Sequence, residues 1–135
     1  MQAQERLGTM LEELERVNHP DEVQSAFRQL GELYGIKNVA YLGVALQRLT
    51  REEPYIVVTY DQDWIARYIE QDYAKVDPVL HQSIRSILPS DWRNFDKEQA
   101  KVKALFEESR QFGVGNQGLT IPVRGSNGEL ALFSV

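Results

Sequence analysis

The chain contains no cysteine, which excludes disulfides and thiolate metal centres and accords with a reducing compartment. Histidine is scarce, with His19 and His81 the two examples. His19 falls in a helix-to-helix turn, a place for a solvated side chain. His81 and Ser83 stand two apart in a helical stretch and point to different sides, so they do not form a nucleophile–base pair. No metal-ligand cluster, nucleophile elbow or carboxylate pair stands out, and a hydrolase would need partners distant in sequence. Basic charge is also short. Lys and Arg number 15 against 20 Asp and Glu, a net charge of -5, so nothing is spare to neutralise a phosphate backbone and this stretch should bind DNA poorly. No run of about 18 apolar residues occurs, and the polar opening Gln2, Gln4, Glu5, Arg6 is unlike a signal peptide. The expected setting is cytoplasmic, with no membrane partner.

What is present suits one folded domain over residues 1–135. Hydrophobic residues make up 42% and charged residues 26%, inside the globular range and away from disordered compositions. Ala3, Leu7, Met10, Leu11, Leu14 and Val17 recur at three- and four-residue steps, which predicts a first amphipathic helix ended by Asn18-His19-Pro20. Pro20 opens a second, with Val23, Phe27, Leu30 and Leu33 on its apolar face and Gly35 as terminator.

From Val39 to Leu46 nearly every position is apolar, so alternation vanishes and a strand covered on both faces is expected at the centre of a sheet. Tyr55 to Tyr60 reads as its antiparallel partner after the turn-like Thr50 to Pro54. Asp61 can cap a helix carrying Trp64, Ile65, Tyr68 and Ile69. Asp77-Pro78 opens another, with Val79, Leu80, Ile84 and Ile87, stopped by Pro89. A long loop with Trp92 and Phe95 should follow. Val102, Leu105, Phe106 and Phe112 then mark a helix ended by Gly113. Leu119 to Val123 and Leu130 to Val135 form a hairpin through Ser126-Asn127-Gly128. This order implies an α-β-α sandwich of the α+β kind, with a central antiparallel sheet and helices on both faces, GAF/PAS-like in outline. Leu130 to Val135 carries no turn or cap, so the domain is expected to be cut within its last strand.

Gly113, Gly115 and Gly118 spell GxGxxG, but a helix leads in and a strand leads out. A dinucleotide cradle needs the reverse order, so that a helix N-terminus faces the pyrophosphate. A glycine-rich turn is the expected reading.

The informative constellation is Tyr60, Trp64, Tyr68, Tyr73 and Asp77-Pro78-Val79, followed by Trp92. Trp64 and Tyr68 share a helix face, and Tyr60 just precedes that helix. A cavity for an amphiphilic amide needs apolar walls and a few fixed polar groups. A phenol or indole N–H can donate to carbonyls, and a carboxylate can accept from an amide N–H. Aromatics at this spacing also describe an ordinary core, and Asp before Pro an ordinary helix cap. Periodicity leaves both readings open.

The run YDQDWIARYIEQDYAKVDPV resembles the signature of the LuxR family of acyl-homoserine-lactone receptors. Trp92, Phe106, Gly113, the GLTIPVRGSNGELALFSV hairpin and the two leading helices resemble the same family, so the likeness extends over essentially the whole chain. It implies a quorum-sensing transcription regulator that binds an N-acyl-homoserine lactone as signal ligand, without a cofactor and without catalysis. By the same resemblance Trp64 would donate to the lactone carbonyl, Asp77 would accept from the amide N–H, and Tyr60 would donate to the amide carbonyl. Tyr68 and Trp92 would wall the ring and proximal chain, Ser134 would contact the acyl part, and Val79, Leu105 and Val114 would neighbour the acyl chain. A homodimer is implied, with DNA contacted only through a C-terminal helix-turn-helix domain that this chain does not contain. The chain departs from many members at Asp61, where they carry Pro. Three rivals stay in view: a GAF/PAS-like sensor of another small molecule, a truncated receptor acting only through heterodimers, and an acyl-lactone hydrolase.

Overall fold

The computed structural model describes residues 20–45, 55–125, 128 and 130–135, together with helical residues 4–6, 8, 9 and 12. The leading-helix residues Ala3, Leu7, Met10, Leu11, Leu14 and Val17 lie outside the described residues, as do Asn18, His19, Thr50 to Pro54, Ser126 and Asn127.

Helix α1 (Pro20–Tyr34) begins on proline, whose missing N–H has no intrahelical partner to lose there, and carries Asp21 and Glu22 in its first turn. Gly35 follows at φ +67°, the left-handed geometry that closes a helix. Strands β1 (Ala40–Ala45) and β2 (Tyr55–Val58) come next. Helix α2 (Gln62–Glu70) is capped by Asp61, whose side chain accepts the Asp63 N–H at 2.8 Å. A 3-10 turn (Tyr73–Lys75) leads to α3 (Pro78–Ser83), short strand β3 (Ser90–Asp91) and a second 3-10 turn (Trp92–Asn94). Helix α4 (Ala100–Gln111), β4 (Leu119–Arg124) and β5 (Leu130–Ser134) complete the order. The strands lie β2-β1-β5-β4-β3, every neighbouring pair antiparallel.

Three details differ from the sequence reading. Strand β1 is interior, but the middle place belongs to β5, which β1 and β4 flank. Helix α3 stops at Ser83 instead of running to Pro89. Arg124 reaches across from β4 to the carbonyls of Ile84 and Ser86 at 3.2 and 3.5 Å, and Ile87 is left 80% exposed. An apolar residue in helical register therefore did not lengthen the helix, because nothing covers it. The loop expected after Pro89 holds a real edge strand, with Ser90 opposite Thr120.

Because successive strand residues face opposite ways, the sheet has two unlike sides. Val39, Tyr41, Val57, Phe133 and Val135 pack with Phe27 and Val23 of α1. Phe27 meets Phe133 edge-on at 5.7 Å. Burying a side chain such as Phe27, Val39 or Val57 contributes about 1.5–3 kcal/mol, so this layer is a solid anchor for the sheet. On the other side Ala40, Leu42, Ile56, Val58, Leu132 and Ser134 face α2, α3 and α4 across a hollow.

Candidate functional site

The hollow has a volume of about 700 Å³, within the range of roughly 300–1,000 Å³ usual for small-molecule sites. All nine residues singled out from the sequence line it: Tyr60, Trp64, Tyr68, Asp77, Val79, Trp92, Leu105, Val114 and Ser134. Helix α2 supplies Trp64 and Tyr68, and the bend before it supplies Tyr60. Asp77 and Val79 come from the start of α3, Trp92 from the second 3-10 turn, Leu105 from α4 and Ser134 from β5. Elements far apart in sequence thus converge on one space.

Asp77 is its electrostatic centre. The residue is 7% exposed. Oδ1 accepts the Val79 N–H at 2.9 Å, which starts α3, and Oδ2 accepts the Tyr68 hydroxyl at 2.6 Å. Each carboxylate oxygen keeps capacity for a further donor. Burial pushes the Asp77 carboxyl above its usual range, while the bonds from Tyr68 and Val79 and the nearby His81 act in the opposite sense. The phenols of Tyr60 and Tyr68 are both pushed up, first by burial and then by the charge on Asp77. At neutral pH they are protonated donors. The Tyr68 proton is committed to Asp77, whereas the Tyr60 hydroxyl and the Trp64 indole N–H have no acceptor among the described residues. His81, outside the cavity, donates from Nε2 to the Ala74 carbonyl at 2.9 Å.

Trp64 is both core and lining. It is 4% exposed, meets Tyr68 edge-on at 5.9 Å, and has Tyr73 and Phe112 at 6.1 and 5.5 Å. Tyr73, 1% exposed, supports the wall from behind. Its hydroxyl is pushed up to about 12, first by burial and then by the neighbouring Glu108 carboxylate. Glu108 in turn receives Arg67 Nε at 2.6 Å and Nη2 at 3.0 Å, a bidentate clamp that joins α2 to α4. That hydrogen bonding holds the Glu108 carboxyl below its ordinary value.

Two residues that shape the site were missed in the sequence. Thr120 on β4 is fully buried. It accepts the Trp92 indole N–H at 2.8 Å and shares a 2.7 Å hydrogen bond with Ser134. Gly118 lies flat beneath Trp92, where an added Cβ would stand 2.7 Å from three indole carbons. The GxGxxG string therefore has two separate causes. Gly113 and Gly115 adopt φ +82° and +90° after α4, and Gly118 makes room for a ring. A lone Thr in a strand carries no sequence signal, but a Gly two residues before it was a cue to close approach.

Among the described residues no group of His, Asp and Glu is arranged to hold a metal ion, and no helix is long and apolar enough to cross a membrane.

An α-β-α domain with one solid side and one hollow, polar-tipped side defines a class of protein built around an internal cavity. The autoinducer binding domain family model matches residues 19–135, and the chain belongs to that family, the sensing domain of LuxR-type quorum-sensing regulators. Among curated relatives, the transcriptional activator protein RaiR of Rhizobium etli is 38% identical over 86 residues, covering 64% of this chain and 36% of RaiR. The transcriptional activator protein VanR of Vibrio anguillarum is 25% identical over 126 residues, covering 93% of this chain and 52% of VanR. The chain therefore spans about a third to a half of these relatives. In fold it is similar to the N-acylhomoserine lactone dependent LuxR family factor CepR2 from Burkholderia cenocepacia, with TM-score 0.76, 19% identity and coverage of 98% of this chain and 76% of that one. A structure of SdiA with octanoyl-rac-glycerol is also similar, with TM-score 0.71, 20% identity and coverage of 97% and 52%. The relatives named are transcriptional regulators, not enzymes.

Proposed function

We propose that the cavity binds an intact N-acyl-homoserine lactone and that the protein acts by binding, without turnover. The observation that carries this reading is the buried Asp77 carboxylate facing a largely apolar hollow beside two unspent donors, Trp64 and Tyr60. A secondary amide with a carbonyl-bearing ring on one side and an alkyl chain on the other complements that set. Trp64 donates to the lactone carbonyl, Asp77 accepts the amide N–H and Tyr60 donates to the amide carbonyl. Tyr68 and Trp92 wall the ring and proximal chain, Ser134 meets the acyl part, and Val79, Leu105 and Val114 line the chain.

Binding of this kind couples to folding. Each methylene withdrawn from water contributes about 0.8 kcal/mol, and the buried carboxylate gains a further donor beyond Tyr68 and Val79. Ligand that binds only the folded form stabilises it by mass action, about 2.7 kcal/mol at a hundredfold excess over Kd. Signal concentration is thereby converted into folded cytoplasmic receptor able to form a homodimer. Residues 1–135 supply sensing. The net charge of -5 leaves these residues no basic surplus for a phosphate backbone.

The test is incubation with a panel of acyl-homoserine lactones and an octanoyl glycerol control, followed by native mass spectrometry and chromatography of the small molecules. The expected result is one intact lactone per chain and a raised Tm. Repeated release of ring-opened or amide-cleaved product, or preference for the glycerol ester, would overturn the reading.

A further inference from the structure

The Trp92–Thr120–Ser134 chain has a direction, and the direction follows from counting protons. Trp92 Nε1–H can only donate, and it does so to Thr120 Oγ1 at 2.8 Å. Thr120 has one hydroxyl proton of its own and is fully buried. Ser134 Oγ, 2.7 Å away, is the one further partner of that hydroxyl among the described residues. If Ser134 donated to Thr120, the Thr120 proton would be a buried donor without an acceptor, an arrangement folded proteins avoid. If Thr120 donates, the Trp92 and Thr120 protons are both satisfied, and the Ser134 proton alone is left over. Ser134 lines the cavity, whereas Thr120 does not.

We infer that Thr120 is a positioning residue that relays the Trp92 indole N–H through its own hydroxyl and turns the Ser134 hydroxyl proton into the cavity. Ser134 is then a donor by construction. The ligand segment lying against β5 must bring an acceptor, such as a carbonyl oxygen, and a ligand offering only a donor there is disfavoured. Trp92 has two functions, a wall through its ring and a polarity setter through its N–H. This inference rests on the lactone reading for the ligand's identity, but the proton direction does not.

Two measurements on the whole chain test it. In the unliganded protein, NMR should show a slowly exchanging Thr120 hydroxyl proton with cross-peaks to the Ser134 β-protons. A slow Ser134 hydroxyl proton directed at Thr120 would overturn the relay, whatever the ligand proves to be. The second measurement is calorimetric titration with N-octanoyl-homoserine lactone. Ser134→Ala should weaken binding about five- to tenfold, the scale of one hydrogen bond. Thr120→Val should weaken it by a smaller factor, Thr120→Ser should restore it, and the double variant should be no worse than Ser134→Ala alone. Losses that multiply in the double variant would show that Thr120 acts independently of Ser134 and would sink the inference. If the wild type binds no acyl-homoserine lactone, the lactone reading fails, and the NMR result still decides the relay.

Discussion

The Tyr68 hydroxyl and Asp77 Oδ2 lie 2.6 Å apart, and the same carboxylate receives the Val79 N–H on its other oxygen. One buried side chain therefore starts α3, holds a ring of α2 against the cavity and presents negative charge inside it. Helix cap and ligand acceptor, which the sequence left as alternatives, are compatible roles of one group.

Asp77→Asn separates those roles. The amide oxygen still accepts from Val79 N–H, and the amide nitrogen can face the Tyr68 oxygen, so the fold is kept. A ligand amide N–H, however, meets a neutral group with one acceptor fewer. We expect acyl-homoserine-lactone affinity to fall by about 1.5–3 kcal/mol, the range for hydrogen bonds to charged groups. Calorimetry giving unchanged affinity would reduce Asp77 to a cap.

The pH dependence has a definite sign. Burial raises the folded-state carboxyl of Asp77 above its ordinary 3.8, so its contribution to unliganded stability is complete below 3.8 and is lost as pH rises through the folded value. The stability of Asp77→Asn relative to wild type should accordingly grow as pH rises through that window. Ligand-induced stabilisation of the wild type should run the other way and shrink as pH falls, since the acceptor becomes neutral. Paired urea melts across pH, with and without ligand, read both trends.

Trp64→Phe keeps most of the aromatic wall and removes the indole N–H. The expected loss is about 1 kcal/mol in ligand affinity with little change in unliganded stability, because that N–H has no described acceptor to lose. An equal loss of stability and no loss of affinity would return Trp64 to the core.

Gly118→Ala tests the floor beneath Trp92. Three indole carbons at 2.7 Å from the new Cβ cannot yield as a flexible chain end would. We expect about 1–3 kcal/mol of destabilisation, a changed near-ultraviolet dichroism signal as the ring shifts, and weaker ligand binding. A variant with wild-type spectrum and stability would contradict the packing described.

Most of the helical architecture could be read from spacing, because helix caps such as Asp61 and Asp77 are local signals, whereas the lining residues of the Tyr60–Val79 run came from the family resemblance, since spacing alone left core and cavity as alternatives. The sheet's share of the cavity could not be read from spacing. Ala40, Leu42, Val58 and Leu132 are apolar like their neighbours, and a strand covered on both sides shows no alternation to say which face meets a solid layer and which a hollow. Thr120 was missed for a related reason: its partners are 28 and 14 residues away. The overlong α3 came from trusting Ile87 to be buried, which depended on whether another element covered it.

The alternation along β5 makes the site sensitive to a kind of change that substitution does not probe. Phe133 belongs to the packed layer against α1, and Ser134 to the cavity. Inserting or deleting a single residue in β5 would reverse every side chain beyond that point. It would drive a phenyl ring into the ligand space and a hydroxyl into the dry layer. Side-chain chemistry in this domain can vary one residue at a time, but the length of this strand cannot, and indels should be confined to its connections.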